Sequence, residues 1–203
     1  AAFAAVETAL AVQHQPVASL SRLFYSTMIL LAAAIGLSAV AAVAGLAATV
    51  APATPPSIVP LALALRALAS LLAGFGFAAL YNSSTRVVLA VGVLSLLGNE
   101  LRLALHDLGM PLPPATFLGA LLVGLLASLV EARLHEPRIT VTVPSIIIMT
   151  PGLFAFQTIV MLNQGQVLTA LQAGANFCFV VGAMAMGLAA ARFVTERRWL
   201  VES

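Results

Sequence analysis

Charged side chains inside long apolar segments are the residues of this sequence best placed to do chemistry. Arg66 lies in one such segment, and Glu100 and Arg102 lie in the next. An isolated charge in hydrocarbon costs about 2.5–3.5 kcal/mol on insertion scales, so it usually faces the interior of a helix bundle and has a partner. The two segments form a hairpin that turns between Tyr81 and Arg86, so residues at equal depth have numbers that sum to about 167. This register predicts an Arg66–Glu100 ion pair; alternatively, Arg66 and Arg102 extend their side chains to the membrane interface.

Three polar residues of the second segment share one helical face. Asn99, Arg102 and His106 are spaced i, i+3, i+7, which places them on one side of an α-helix that runs toward the membrane boundary. This face could line a polar vestibule. His106 and Asp107 lie at the boundary, where a titrating His–Asp couple could pass protons, although boundary residues of this kind are more often simply hydrated.

A helix break is predicted at Thr150-Pro151-Gly152. Pro151 lacks an N–H group and its ring crowds the preceding turn, and Gly152 removes steric restraint on the backbone. Thr150 and Pro151 match the N-cap and first position of a new helix, whose free N–H groups and positive dipole end would attract an anion. The break falls near the midpoint of the apolar segment 139–162, where discontinuous transporter helices bind anionic substrate groups. The alternative is a proline kink that only shapes packing.

Neutral polar side chains flank this break in the sequence. Ser145 precedes it and Gln157 follows it, while Thr169, Gln172 and Asn176 are spaced i, i+3, i+7 on the last apolar segment. Such hydroxyls and amides suit the amino or hydroxyl group of a ligand. They are equally suited to hydrogen-bond neighbouring helices, at about 0.6 kcal/mol for each bond.

The elements that must position these residues are membrane-spanning helices. The chain has 203 residues, of which 62% are hydrophobic and 8% are charged, against about 25% charged in a soluble domain. The apolar runs are continuous and rich in Ala and Leu, which predicts helices rather than the alternating pattern of a β-barrel. The predicted fold class is an all-α polytopic bundle of about six transmembrane helices, one of them broken near the midplane at Pro151-Gly152. The candidate spans are 23–50, 58–81, 87–106, 115–130, 139–162 and 168–191.

The basic residues predict the orientation of this bundle. All nine are Arg. If six spans cross, seven arginines fall on one side of the membrane, none falls in a loop on the other, and Arg66 and Arg102 remain inside spans. Since cytoplasmic loops carry the excess of Arg and Lys, both ends of the chain are expected in the cytoplasm. The seven are Arg22, Arg86, Arg133, Arg138, Arg192, Arg197 and Arg198.

Other functional classes lack their sequence signatures. The net charge is +2, and the arginines do not cluster as they do on a nucleic-acid-binding surface. The single cysteine, Cys178, has no companion for a disulfide, a metal site or a cluster. Neither HExxH nor GxSxG occurs, and the three histidines lie at or outside span ends. We therefore expect no enzyme activity, no metal, no cofactor and no nucleic-acid partner.

Five motifs, spread over about residues 60–192, carry a family resemblance. They are Gly74-Phe75-Gly76-Phe77-Ala78 with Asn82 and Arg86, Gly98 with Arg102, Phe117 to Gly124, Pro137, and Pro144 to Gly152. In order and spacing they resemble the C-terminal membrane domain of the threonine/serine exporter family. Residues 1–56 resemble the end of the N-terminal membrane half of such proteins, which leaves residues 57–203 as a five-span exporter domain. The chain, which lacks an initial Met, would then be the C-terminal portion of a fused exporter.

The resemblance implies proton-driven export of threonine, serine or similar small amino acids across a bacterial inner membrane, with the N-terminal half as a partner and a homo-oligomer as a further possibility. We expect the substrate carboxylate at the helix break and its ammonium and hydroxyl groups at polar side chains of the last two spans. Glu100 with Arg66 or Arg102 would form the gating and proton-sensitive element. The predicted substrate-binding residues are Ser145, Thr150, Pro151, Gly152, Gln157, Gln172 and Asn176, and the predicted gating residues are Arg66, Asn99, Glu100, Arg102 and His106.

Two alternatives remain open at the level of sequence. The chain could be a non-transporting membrane subunit that docks an N-terminal half, which alone would hold the substrate site. It could also export small carboxylates rather than amino acids. A passive channel would need a continuous polar stripe, which these spans lack.

Overall fold

The computed structural model describes residues 60–195, together with positions 24, 25, 28 and 36. Within this part the chain folds into six α-helices and contains no strand, which confirms the all-α prediction. The predicted first span, 23–50, and the division of the chain at residue 56 lie largely outside the described residues and stay predictions. The helices are α1 (Pro60–Leu80), α2 (Thr85–Asp107), α3 (Leu112–Leu134), α4 (Arg138–Ile147), α5 (Gly152–Asn163) and α6 (Val167–Thr195).

Four of these helices are long and apolar enough to cross a membrane, and a bent pair supplies a fifth span. The four are α1, α2, α3 and α6. α4 and α5 pass the same test together, with a bend of 50° between them. The bend lies at the predicted Pro151-Gly152 break, whereas Pro144 is accommodated inside α4. The chain is therefore a multi-pass membrane protein, with one discontinuous helix within residues 60–195.

The connections after α1 and α2 are short turns, and each contains a residue with positive φ. Asn82 (φ 51°) follows α1, and Gly109 (φ 94°) follows α2. At the end of α2, the Gly109 N–H donates to the backbone carbonyl of His106 and the Met110 N–H donates to that of Leu105. The last carbonyls of the helix thus have partners. α3 then begins after Pro111, where prolines in the first turn lose no helical hydrogen bond.

α1 and α2 pack as a close antiparallel hairpin. A Cβ added to Gly74 would lie 2.6 Å from Oγ of Ser95, and the ring of Phe75 occupies the place of a side chain at Gly92. Small residues thus let the two backbones approach, as in other membrane helix pairs. The residue numbers of each contacting pair sum to about 167, so the contacts follow the register predicted from the turn.

The directions of the helices show that α4 and α5 together cross the bundle once. A Cβ at Gly187 would meet Phe117 and Ala120, and a Cβ at Gly124 would meet Ala191. Residue numbers therefore rise together along α3 and α6, which makes these helices parallel. A re-entrant α4–α5 segment would instead have made α6 antiparallel to α3, so the structure favours a broken span over a fold-back.

This topology gathers the described loop arginines at one end of the bundle. Arg86 begins α2, Arg133 ends α3, Arg138 begins α4 and Arg192 ends α6. The guanidinium of Arg138 joins the start of α4 to the end of α6 through the Thr195 hydroxyl, and it also donates to the carbonyl of Gly124 in the middle of α3. We call this end of the molecule the arginine end.

The core lies between α2, α3 and α4, where the break begins. Ile146 and Met149 are fully buried. Met149 packs where side chains at Gly98 of α2 and Gly119 of α3 would otherwise be. The break is therefore held against the middle of the α2–α3 hairpin rather than at the surface of the bundle.

Candidate functional site

Arg66 is paired with two carboxylates. Its Nε lies 3.0 Å from Oε2 of Glu100, and its Nη1 lies 2.7 Å from Oδ2 of Asp107. The three side chains are each about a fifth to a quarter exposed. The predicted Arg66–Glu100 contact is confirmed, and the alternative in which Arg66 only reaches for the interface does not describe this arrangement.

A buried polar pair extends this network into the bundle. Asn99 donates from Nδ2 to Oγ of Ser70 over 2.9 Å. The Ser70 hydroxyl is 3.1 Å from Oε1 of Glu100 and 2.9 Å from the carbonyl of Arg66. A hydroxyl has one hydrogen to donate, so Ser70 can bond either acceptor but not both. We call Arg66, Ser70, Asn99, Glu100 and Asp107 the α1–α2 network.

The structure does not bring His106 and Asp107 together as a couple. Asp107 is turned to Arg66 of α1. His106 is exposed, and its Nδ1 lies 3.0 Å from the carbonyl of Met110 in the next turn. Of the two boundary residues, Asp107 thus belongs to the network and His106 lies at its edge.

The start of α5 differs from the predicted cap. Thr150 was expected at the N-cap, but this expectation is wrong, because Pro151 occupies that position and no side chain caps the helix. Pro151 (φ −80°, ψ 56°) is the centre of an inverse γ-turn, in which the Gly152 N–H donates to the carbonyl of Thr150 over 2.8 Å. This turn moves the helix start by one residue.

The turn also reduces the number of free donors at the α5 N-terminus. The N–H groups of Phe154 and Ala155 both donate to the carbonyl of Pro151. Gly152 is already used in the turn, so among the first four residues only Leu153 has an N–H without a partner within the described part of the chain. The helix start alone is therefore a weaker anion site than the sequence suggested.

Arg102 supplies a positive charge at this break. Its Nη1 donates to the carbonyl of Met149 over 2.8 Å. Its Nε is buried and has no hydrogen-bond partner in the described structure, and the same holds for Oγ1 of Thr150. Glu100 is bonded to Arg66, so Arg66 rather than Arg102 is the cation that accompanies it. We call Arg102, Thr150 and the start of α5 the break site.

Ser145 and Gln157 occupy different environments around the break. The Ser145 hydroxyl is fully buried and donates to the carbonyl of Val141 in its own helix. The backbone carbonyl of Ser145 lies 3.3 Å from the Ser95 hydroxyl, which ties α4 to α2. Gln157 is half-buried on α5. Ser145 is thus engaged in the helix packing, whereas the Gln157 amide is available.

The two remaining predicted residues face away from the break. Gln172 and Asn176 are exposed on α6. Gly174, midway between them, lies against Thr158 of α5, since a Cβ added there would be 3.5 Å from Cγ2 of Thr158. Two residues along a helix correspond to about 200° of rotation, so Gln172 and Asn176 point to the side opposite α5.

Three groups of the α1–α2 network and the break site were not predicted from the sequence. Ser70 lies one turn from Arg66 on the face that meets α2, and the hairpin register carried enough information to find it. Asp107 was assigned to His106 because the two are neighbours in sequence. The carbonyl of Met149 left no sequence signal, because it depends on how α4 ends against α2.

The spans and the charged residues between them indicate a class of membrane protein. Five apolar spans, one of them discontinuous, and partly buried charged residues between the helices are features of a membrane transporter domain. A family model described as the threonine/serine exporter, ThrE, matches residues 66–194. The chain belongs to this threonine/serine exporter family. Comparisons with curated proteins and with solved structures each returned no match.

Proposed function

We propose that the chain exports threonine, serine or similar small amino acids across a bacterial inner membrane, with transport coupled to protons and both chain ends in the cytoplasm. Family membership supports a transporter of the threonine/serine exporter type. The observation that carries the substrate site is Arg102, a guanidinium with a buried, unpartnered Nε at a helix break. A buried polar group without a partner is rare and costly unless a ligand completes it.

The substrate carboxylate would bind to Nε of Arg102 and the Thr150 hydroxyl, close to the free N–H of Leu153. Charge-assisted bonds of this kind are stronger than neutral ones. Gln157 would contact the ammonium or hydroxyl group. Pro151 and Gly152 would shape the backbone at the site, and Ser145 would position α4 through its packing contacts.

The α1–α2 network would act as the gate and the proton-sensitive element. Protonation of Glu100 would weaken its bond to Nε of Arg66 and leave Asp107 as the only carboxylate on that arginine. The Ser70 hydroxyl could then donate to the Arg66 carbonyl instead of Glu100. Asn99 would follow Ser70, and His106 would lie on the route by which protons reach the network. The pairing can thus switch between two arrangements.

A specific observation also supports an N-terminal half as partner. Gln172 and Asn176 are exposed on α6 beside exposed apolar residues such as Leu168 and Leu171. Amides facing lipid would be unsatisfied, whereas a partner helix could bond them. We therefore assign them to contact with the N-terminal half, which keeps the docking function as a second role of this chain.

The experiment is transport of labelled threonine in membrane vesicles that carry the chain alone or together with an N-terminal half, with and without an imposed proton gradient. We expect saturable, gradient-dependent flux that serine inhibits and threoninamide does not, because the amide lacks the carboxylate. Arg102→Gln should lower the saturable component about 10- to 100-fold. Glu100→Gln should retain flux but remove its dependence on the gradient.

Three results would overturn the proposal. Undiminished flux in Arg102→Gln vesicles would remove the break site from transport. Equal inhibition by acetate and by serine would favour an exporter of small carboxylates. Flux with the N-terminal half that tolerates every break-site substitution would support the docking subunit instead.

A further inference from the structure

A cavity opens at the arginine end of the bundle, and none of its lining residues belongs to the break site. Its volume is about 420 Å³, which falls in the range of small-molecule sites, about 300–1,000 Å³. It lies where the α1–α2 turn and the start of α2 meet the end of α3. Its lining residues are Ser84, Thr85, Arg86, Val87, Leu134 and Glu136.

The lining carries one positive and one negative side chain that do not neutralise each other. Arg86 lies in the first turn of α2 and Glu136 in the connection between α3 and α4. No ion pair or hydrogen bond holds either side chain within residues 60–195. The Arg86 side chain is exposed and that of Glu136 is half-buried, so both are open to a ligand that enters the cavity. The pair has no net charge, so it matches a ligand that also carries both charges.

Two hydroxyls stand on the Arg86 side of the cavity. Ser84 is the N-cap residue of α2, yet its side chain does not cap the helix. Neither it nor the Thr85 hydroxyl has a hydrogen-bond partner in the described structure. These two hydroxyls and Arg86 form a donor cluster suited to a carboxylate. Val87 and Leu134 supply an apolar wall beside it.

We propose that this cavity binds the zwitterionic head of an α-amino acid, as a second substrate site on the cytoplasmic side from which export begins. Arg86, with Ser84 and Thr85, binds the carboxylate, and Glu136 binds the ammonium group. The wall of Val87 and Leu134 faces the small side chain. This inference rests on the proposed function, because it names the place where the exported amino acid first binds.

The test measures threonine flux from the cytoplasmic face as a function of its concentration in vesicles with the full chain. We expect Arg86→Gln and Glu136→Gln each to raise KM about three- to fivefold with little change in Vmax, as suits charges open to water. The two variants should also differ in selectivity. Arg86→Gln should lose discrimination against threoninamide, and Glu136→Gln should lose discrimination against N-acetylthreonine.

Arg133→Gln and Glu131→Gln are the matched controls. Both residues are exposed near the same end of α3, and neither lines the cavity. They make the same charge changes and should leave KM and selectivity at wild-type values. If the cavity variants behave like these controls while the wild type transports threonine, the second site is overturned and the exporter stands. If the wild type carries no threonine with or without an N-terminal half, the exporter and the second site are both overturned.

Discussion

Arg66 and Arg102 are both arginines of membrane spans, but their surroundings differ. Arg66 contacts two carboxylates and belongs to a network whose members are nearly all bonded. Arg102 bonds the backbone carbonyl of Met149, and its buried Nε has no partner within the described residues. The hydroxyl of Thr150, the next residue after Met149, has no partner there either. The first arrangement holds two helices together, whereas the second leaves a donor free for the proposed substrate. The two arginines therefore differ in their partners, and the proposed roles rest on that difference.

Removal of Arg66 should produce the largest effect. Arg66→Gln leaves Glu100 and Asp107 mostly buried and without their cation, so we expect a loss of about 3 kcal/mol in the free energy of unfolding. Denaturant unfolding of the purified chain in detergent measures it. The combined variant Arg66→Gln, Glu100→Gln, Asp107→Asn removes every charge together and should recover most of the loss. No recovery would mean that the three groups are not energetically coupled.

Removal of Arg102 should affect transport strongly and stability little, in contrast to the removal of Arg66. Arg102→Gln removes a charge that forms no ion pair within the described residues, so stability should change by less than about 1 kcal/mol. Saturable threonine flux should fall about 10- to 100-fold. Arg102→Lys keeps the charge but not the forked donors and should recover only part of the flux. A loss of stability as large as that of Arg66→Gln would erase the contrast between the two regions.

Gly98→Ala tests whether close packing holds the break in place. The added Cβ would lie 2.5 Å from Cε of Met149 and would also meet Val123, so Met149 must move. We expect a destabilisation of about 1–3 kcal/mol, together with weaker threonine binding, because the Met149 carbonyl holds Arg102. Gly76→Ala is the control, since nothing lies within 4 Å of the added Cβ. Equal stability of the two variants would contradict the packing at Met149.

Thr150→Val should have the smallest effect, and its sign is informative. The substitution keeps the shape and removes a buried hydroxyl that has no partner. Stability should therefore rise by up to about 1 kcal/mol, while KM for threonine rises about two- to tenfold through the loss of one neutral hydrogen bond. A fall in stability would show that the hydroxyl is bonded inside the protein rather than reserved for substrate.

The sequence was sufficient for features that depend on one helix or one hairpin. The Pro151-Gly152 break follows from the chemistry of two residues, and the Arg66–Glu100 pair follows from the length of a single turn. Both are local, because the chain itself fixes the geometry. The family resemblance likewise rests on short motifs in order, and the match over residues 66–194 confirms it.

The rest depends on how helices distant in sequence rotate against each other. The bond from Arg102 to Met149 requires α2 and α4 to be parallel neighbours, which no hairpin rule supplies. The outward direction of Gln172 and Asn176 depends on which side of α6 meets α5. The position of Pro151 as the N-cap depends on a γ-turn that the residue types alone allow but do not require.

The length of α6 has a mechanical consequence. Its 29 residues rise about 43 Å at 1.5 Å per residue, whereas the hydrocarbon core of a bilayer is about 30 Å thick. The helix must therefore lean or project from the lipid, and its parallel contact with α3 passes that inclination to the rest of the bundle. Thinner bilayers increase the mismatch and thicker ones relieve it. The acyl-chain length of the surrounding lipid thus influences the tilt of α6 and of the helices packed against it.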